Sequence, residues 1–351
     1  MPFSGLRSSS FGVDRLSRFS FAIRRWLDQV IVGIRTPFTE LFDLTYPLAS
    51  APMGAVSGGE LAAAVSNAGG LGFVGGGYGD PGWLTQELEI VRARTHRKWG
   101  VGLITWSATQ ETVELALAYR PDAFFLSFGD ARPFISAIKN AGCLLVCQVQ
   151  EVETAREAKA LGADVIVAQG AEAGGHGALR ATLPLVPAVV DAVDPTPVLA
   201  AGGIGDGRGL TAALGLGAAG AVIGTCFCVA DEALTHPAAK QRLLTARGNE
   251  TIRTTVFDTV RGYTWPAPYT GRALRNEFLD QWHDRNDALA RNTAERERYA
   301  VAVGNANFDT AAIWAGEIVD MADRVEPAAM IVERIGRDAE TSLQRVRNLV
   351  T

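Results

Sequence analysis

The stretch VLAAGGIGDGRGLTAALGLGAAGAVIGT, Val198–Thr225, decides the fold. It opens with a short apolar run, Val198–Ala201, read as a strand that stops at the Gly202-Gly203 pair. An amphipathic helical stretch follows over Arg208–Leu216. The small-residue turn Leu216-Gly217-Ala218-Ala219-Gly220 then leads into a second apolar run, Ala221–Gly224. The two strands start 23 residues apart, the length of one βα unit of parallel sheet. The same rhythm extends toward the N-terminus, with strands predicted at Leu48–Ser50, Leu71–Val74, Gly100–Leu103, Ala123–Ser127, Leu144–Val149 and Val165–Ala168. Helices are predicted over Gly59–Ala68, Thr112–Ala118, Ala131–Asn140, Val152–Leu161 and Leu185–Ala192, the last with Pro187 in its first turn, where proline is tolerated. Eight alternating units predict an α/β chain folded as a closed (β/α)8 TIM barrel, with an open doubly wound sheet as the alternative.

Composition supports one large core. Of 351 residues, 48% are hydrophobic and 20% charged, more apolar than a disordered chain allows. The net charge of −5 lacks the concentrated basic face that nucleic-acid binding needs. Residues 1–35 carry six arginines against Asp14 and Asp28, so this arm is +4 and the remainder −9. The arm reads as a basic N-terminal extension, with a transit peptide or membrane-surface helix as the alternatives. No run of 18 uninterrupted apolar residues occurs, so no membrane span is predicted. Cys143, Cys147, Cys226 and Cys228 lie in or beside apolar runs without metal-type spacing, as expected of buried thiols in a cytoplasmic protein. After the barrel, 36–230, residues 231–310 read as helices and loops covering one face. Residues 311–351 read as C-terminal helices packing on the barrel from outside, the last at about Glu326–Val350.

In such a barrel the reactive groups lie on loops after the strands. Glycine is 38 of 351 residues, and several of these fall in that position. Gly202 and Gly203 follow the seventh strand and Gly224-Thr225 the eighth, the pair of loops where barrels hold a phosphate on backbone N–H groups without a lysine. His176 follows Ala173-Gly174-Gly175, whose small residues let backbone approach a flat ligand while the imidazole projects over it. A neutral imidazole exchanges protons near neutral pH. His96, His236 and His283 sit in charged or Pro-flanked stretches and read as surface residues. Gln148, near the end of strand five, suits a heterocycle edge, and Met53 suits the face of an aromatic ring. Glu172 reads as a residue that accepts backbone N–H bonds to brace its loop. Tyr78-Gly79-Asp80 reads as a mobile loop on the substrate side.

Taken together, Ala51-Pro52-Met53, the Gln169–His176 loop, Ala201-Gly202-Gly203-Ile204 and Gly224-Thr225 resemble the nitronate monooxygenase (2-nitropropane dioxygenase) family. The likeness runs from about Thr36 to the C-terminus and includes Thr270-Gly271-Arg272 and Trp314-Ala315-Gly316. It implies an FMN enzyme that oxidises alkyl nitronates or nitroalkanes with O2 to a carbonyl and nitrite. His176 would be its catalytic base or substrate anchor. The implied FMN contacts are Ala51, Pro52, Met53, Ile104, Thr105, Gln148, Gly174, Gly175 and Ala201, with phosphate at Gly202, Gly203, Gly224 and Thr225. No metal is implied, and a homodimer is compatible with the sequence. Many family members have Asn at the end of strand three, where this chain has Gly102, and Lys where Gln148 stands. The missing positive charge implies less stabilisation of a reduced, anionic flavin. An NAD(P)H-dependent enoyl-acyl-carrier-protein reductase resembles the same Gly-Gly-His loop and Ala-Gly-Gly-Ile turn, and a non-catalytic flavin-binding regulator is a third reading.

Overall fold

The computed structural model of the protein describes Met1 and residues 33–350. The chain divides at Gly33, and the unit that follows is the one described below. The basic arm therefore lies almost wholly outside the described residues.

Eight parallel strands form the barrel: β1 (Leu48–Ser50), β2 (Gly72–Gly75), β3 (Trp99–Ile104), β4 (Ala123–Ser127), β5 (Leu144–Val149), β6 (Val165–Gln169), then β8 (Val198–Ala201) and β9 (Gly220–Ile223). The intervening β7 (Gly175–Gly177) belongs to a second sheet. Around the barrel the order is β1-β9-β8-β6-β5-β4-β3-β2. Ser50 and Leu71 close it: Ser50 N donates to Leu71 O at 3.0 Å and Leu71 N to Leu48 O at 3.0 Å. Alternate residues point inward, as the period of two requires. Ala49, Phe73, Phe125, Val146, Val165, Val167, Leu199 and Val222 fill the interior. The helix Pro37–Phe42 plugs the N-terminal end with Phe38 and Phe42, and Thr36 Oγ1 donates to Ala219 O at 2.7 Å beside it. Residues of the opposite parity, such as Leu145, Cys147, Ile166 and Ile223, pack under the outer helices.

Three elements depart from the sequence expectation. A helix over Pro81–Arg94 stands between β2 and β3, where none was expected. Asp80 caps it, accepting from Trp83 N at 2.7 Å, and Leu84, Leu88 and Val91 form its buried stripe. The helix predicted from Leu185 starts at Thr182 and runs to Val193, which puts Pro187 in its interior rather than its first turn. Its start is set from a distance, because Thr182 N donates to the Glu172 carboxylate at 3.0 Å. The covering region is not only helices and loops. β10 (Thr251–Thr254) and β11 (Thr270–Leu274) pair antiparallel, and β11 pairs with β7.

The helix Ala328–Arg347 lies on the barrel wall against the helices Gly207–Gly215 and Gly59–Asn67, which flank the last and first strands. It approaches closely: a Cβ on Gly207 would stand 2.2 Å from Ala339 N, and one on Gly336 would meet the Tyr46 ring at 2.3 Å. Among the described residues no helix is long and apolar enough to cross a membrane. Cys143, Cys147, Cys226 and Cys228 are free and buried, and burial pushes each thiol up to about 12.

Candidate active site

All eight barrel strands deliver residues to one cavity of about 910 Å³ at their C-terminal ends. That is near the upper end of the usual range for small-molecule sites. Ala51, Pro52, Met53, Gly102, Ile104, Gln148, Ala201, Gly202, Gly224 and Thr225 line the barrel mouth, with Gly174, Gly175 and His176 beside them. Of the residues expected at the site, Thr105 and Gly203 lie off this wall. Thr105 is buried with its hydroxyl unpartnered, and Gly203 is exposed. The loop hydrogen bonds of the described residues leave the amides of Gly202, Gly203, Gly224 and Thr225 without a protein acceptor. The two glycines after β8 have φ of +99° and +71°, a conformation that turns successive amides to one side. Thr225 Oγ1 accepts from Gly316 N at 2.9 Å, which ties this loop to the Trp314-Ala315-Gly316 segment.

Gly102 has a local explanation. A Cβ there would lie 2.4 Å from Pro52 Cβ, so the ring of Pro52 fills the space an Asn side chain would take. Gln148 Nε2 donates to Gln169 Oε1 at 3.2 Å, and Gln169 Nε2 donates to the carbonyl of His176 at 3.0 Å. The glutamine pair thus connects β5 to the strand that carries His176. Glu172 braces its loop, as expected, accepting from both N and Oγ1 of Thr182.

His176 is not in a loop. It sits in β7, paired with Gly271 of β11, so the covering sheet fixes its backbone. Its Nε2 lies 2.9 Å from Asp258 Oδ2, and both side chains are buried, 9% and 3% exposed. Burial lowers the imidazole below its ordinary value, while the hydrogen bond and charge of Asp258 pull it up and Arg261 and Arg253 push it down. The indole of Trp265 lies flat on the imidazole, ring centres 3.4 Å apart and planes 3° from parallel. Trp265 Nε1 donates to Tyr78 Oη at 3.1 Å, and Tyr78 stacks on Tyr263 at 4.3 Å. The Tyr78 loop, expected to be mobile, is thus packed under the cover. Phe128 adds an edge to Trp265 and holds a φ of +64°, a strained geometry for a bulky residue.

Two arginines of the covering sheet were not singled out as site residues by sequence reasoning. Arg253 donates to the carbonyls of Ala171, Gly177 and Thr270, at 3.0, 3.2 and 2.6 Å, and burial beside Arg272 pulls it down to about 10. Arg272 donates to Ala171 O at 3.0 Å and pairs with Glu317 at 2.8 Å. Together they clamp the 171–177 segment by its backbone. Asp258 was likewise missed, for nothing near it in sequence marks its partner. His96, His236 and His283 are exposed as expected, yet His236 also borders the cavity mouth.

Comparison with known proteins agrees with this architecture. FabK of Thermotoga maritima superimposes with a TM-score of 0.80 at 27% identity, covering 91% of this chain and all of that one. The nitroalkane oxidase of Streptomyces ansochromogenes does so at 0.76 and 29%, covering 88% and 99%. The nitronate monooxygenase of Neurospora crassa is 34% identical over 344 residues, 85% of this chain and 90% of that protein. A Mycobacterium tuberculosis (3aS,4S,5R,7aS)-5-hydroxy-7a-methyl-1-oxo-octahydro-1H-indene-4-carboxyl-CoA dehydrogenase is 36% identical over 251 residues, 71% and 68%. Residues 35–338 match the family model described as nitronate monooxygenase. The chain is an oxidoreductase that belongs to the nitronate monooxygenase family.

Proposed function

We propose that the protein binds FMN across the barrel mouth and oxidises alkyl nitronates with O2, giving a carbonyl compound and nitrite. The observation that carries this reading is His176, a buried imidazole with a depressed pKa, lining the same cavity as Gly202, Gly224 and Thr225, whose amides have no protein acceptor. The residues fit the cofactor. Four amides without a protein acceptor, on Gly202, Gly203, Gly224 and Thr225, suit a phosphate. Gly224 presents no side chain, and a Cβ there would only touch Met53 Sδ at 3.5 Å and Ala51 Cβ at 3.6 Å. Ala51, Pro52, Met53, Ile104, Gln148, Gly174, Gly175 and Ala201 would flank the ring system. Thr105, expected as a contact, lies buried off the cavity wall with its N–H donating to Ser127 O at 2.8 Å, and is left out of the proposed contacts. When bound, the flavin supplies the electron acceptor for the nitronate and the route of electrons to O2.

The chain's own part is binding, orientation and one proton. His176 removes the α proton of a neutral nitroalkane, or holds the nitro group of a preformed nitronate. Burial keeps the imidazole neutral and therefore competent as a base at neutral pH. Ala239, Leu243, Phe308 and Ile313 continue the cavity as an apolar arm, which suits the alkyl group of the substrate. Anaerobic mixing tests the proposal. Bleaching of the flavin by a preformed alkyl nitronate is the expected result. Bleaching by NAD(P)H alone points to the enoyl reductase reading, and bleaching by neither to a non-catalytic flavoprotein.

A further inference from the structure

Asp258 does not belong to the barrel. It sits in the helix Val256–Arg261 of the covering region, 82 residues from His176 in sequence. Both its carboxylate oxygens are engaged: Oδ2 faces His176 Nε2 at 2.9 Å, and Oδ1 accepts from the Arg261 guanidinium at 2.8 Å. Arg261 is itself fastened, donating through Nε to Phe257 O at 2.9 Å. The imidazole plane is set by the Trp265 indole against it. A carboxylate acceptor at Nε2 requires a proton on Nε2, so the lone pair of the neutral ring is on Nδ1. No other hydrogen bond to the imidazole occurs among the described residues.

We infer that Asp258 is a positioning residue: it holds His176 in the Nε2-protonated tautomer, leaves Nδ1 as the base, and stabilises the imidazolium once Nδ1 has taken a proton. The inference rests on the function proposed above, in which His176 deprotonates the α carbon. In that step the C–H bond breaks and an Nδ1–H bond forms. The electron pair stays on the substrate and delocalises into its nitro group, so no oxidant enters. The charged groups around the ring are Asp258, which favours the imidazolium, and Arg261 and Arg253, which oppose it. Because Asp258 and Trp265 both come from the cover, the base is complete only when the cover is seated on the barrel.

The test is 15N–1H correlation of the histidine side chains in the flavin-loaded enzyme, with His176→Asn used to assign the signal. The wild type is expected to show the Nε2–H tautomer. Asp258→Ala is expected to give a mixture of tautomers and a lower titration midpoint for His176. Asp258→Asn keeps the shape, but its carboxamide can donate through Nδ2 and so favours the opposite tautomer. Its turnover of neutral nitroalkane is expected to fall about 10²–10⁴-fold more than its turnover of preformed nitronate, the usual worth of an oriented general base. An Nδ1–H tautomer in the wild type overturns the inference even if every variant fails to fold. So does equal loss on the two substrates in a folded Asp258→Asn protein. A wild type that turns over neither substrate while showing the Nε2–H tautomer removes the functional reading instead.

Discussion

Gly174→Ala isolates the contact that joins the barrel to its C-terminal segment. A Cβ on Gly174 would stand 2.6 Å from both Ala315 C and Gly316 N, and neither is a flexible side-chain tip. Non-bonded carbon contacts settle at about 3.5–4.0 Å, so the two backbones must separate by roughly 1 Å. Two hydrogen bonds span the same seam: Gly316 N to Thr225 Oγ1 and Glu317 N to Glu172 O, each 2.9 Å. Each buried donor left unpaired costs about 1–3 kcal/mol, so the substitution should destabilise by about 3 kcal/mol. At roughly 2–4 °C per kcal/mol for a chain of a few hundred residues, that is a fall in melting temperature of about 6–12 °C. Scanning calorimetry of the flavin-loaded protein reads it directly. Gly215→Ala is the control, because its Cβ meets nothing within 4 Å in a helix and should hold or raise stability by about 0.4–1 kcal/mol. If Gly174→Ala melts with wild type, the close approach is not the reason for glycine there.

Further outcomes follow from the site. His176→Asn should reduce turnover of neutral nitroalkane about 10²–10⁴-fold more than that of preformed nitronate, and equal losses would remove His176 as the base. The wild-type rate on the neutral substrate should stay level as pH falls through the ordinary histidine value of 6.5, since burial holds the folded imidazole lower. The same depression favours the fold above pH 6.5, and this contribution disappears as pH drops further, because the unfolded chain takes up the proton first. Gln148→Lys should raise the flavin reduction potential by placing a cation where the carboxamide now reaches Gln169; an unchanged potential in a spectroelectrochemical titration would sink the idea.

The barrel was legible because its buried strands are short apolar runs, several of them followed by glycine, as Val198–Ala201 and Gly220–Ile223 are. Most helix ends fell within two residues, and for Gly207–Gly215 the cap is local: Asp206 accepts from Arg208 N and Gly209 N. The start at Thr182 was not legible, since its cap is the side chain of Glu172 from another loop. Nor was the covering sheet. Thr251–Thr254 and Thr270–Leu274 are short and partly polar, and β11 finds its second partner in the glycines of β7. The β-branched run Thr251-Ile252-Arg253-Thr254-Thr255-Val256 was the one available signal for it. Within the site, residues at strand ends could be located from the fold rule alone. Asp258 and Arg253 could not, because their roles are defined by groups that become neighbours only in three dimensions.

The helix Ala328–Arg347 lies where the eighth outer helix of the barrel belongs, between the neighbours of the last and first strands. The covering region is then an insertion within the final βα unit, and the ribosome delivers that insertion before the piece that completes the ring. A nascent chain has all eight strands by Ile223 but lacks the staple over the junction of β9 and β1 until more than a hundred residues later. During that interval the wall at Tyr46 and Gly207 is bare apolar surface. The order of synthesis thus makes this junction the last part of the barrel to be covered, a place where a stalled or clipped chain is exposed to aggregation.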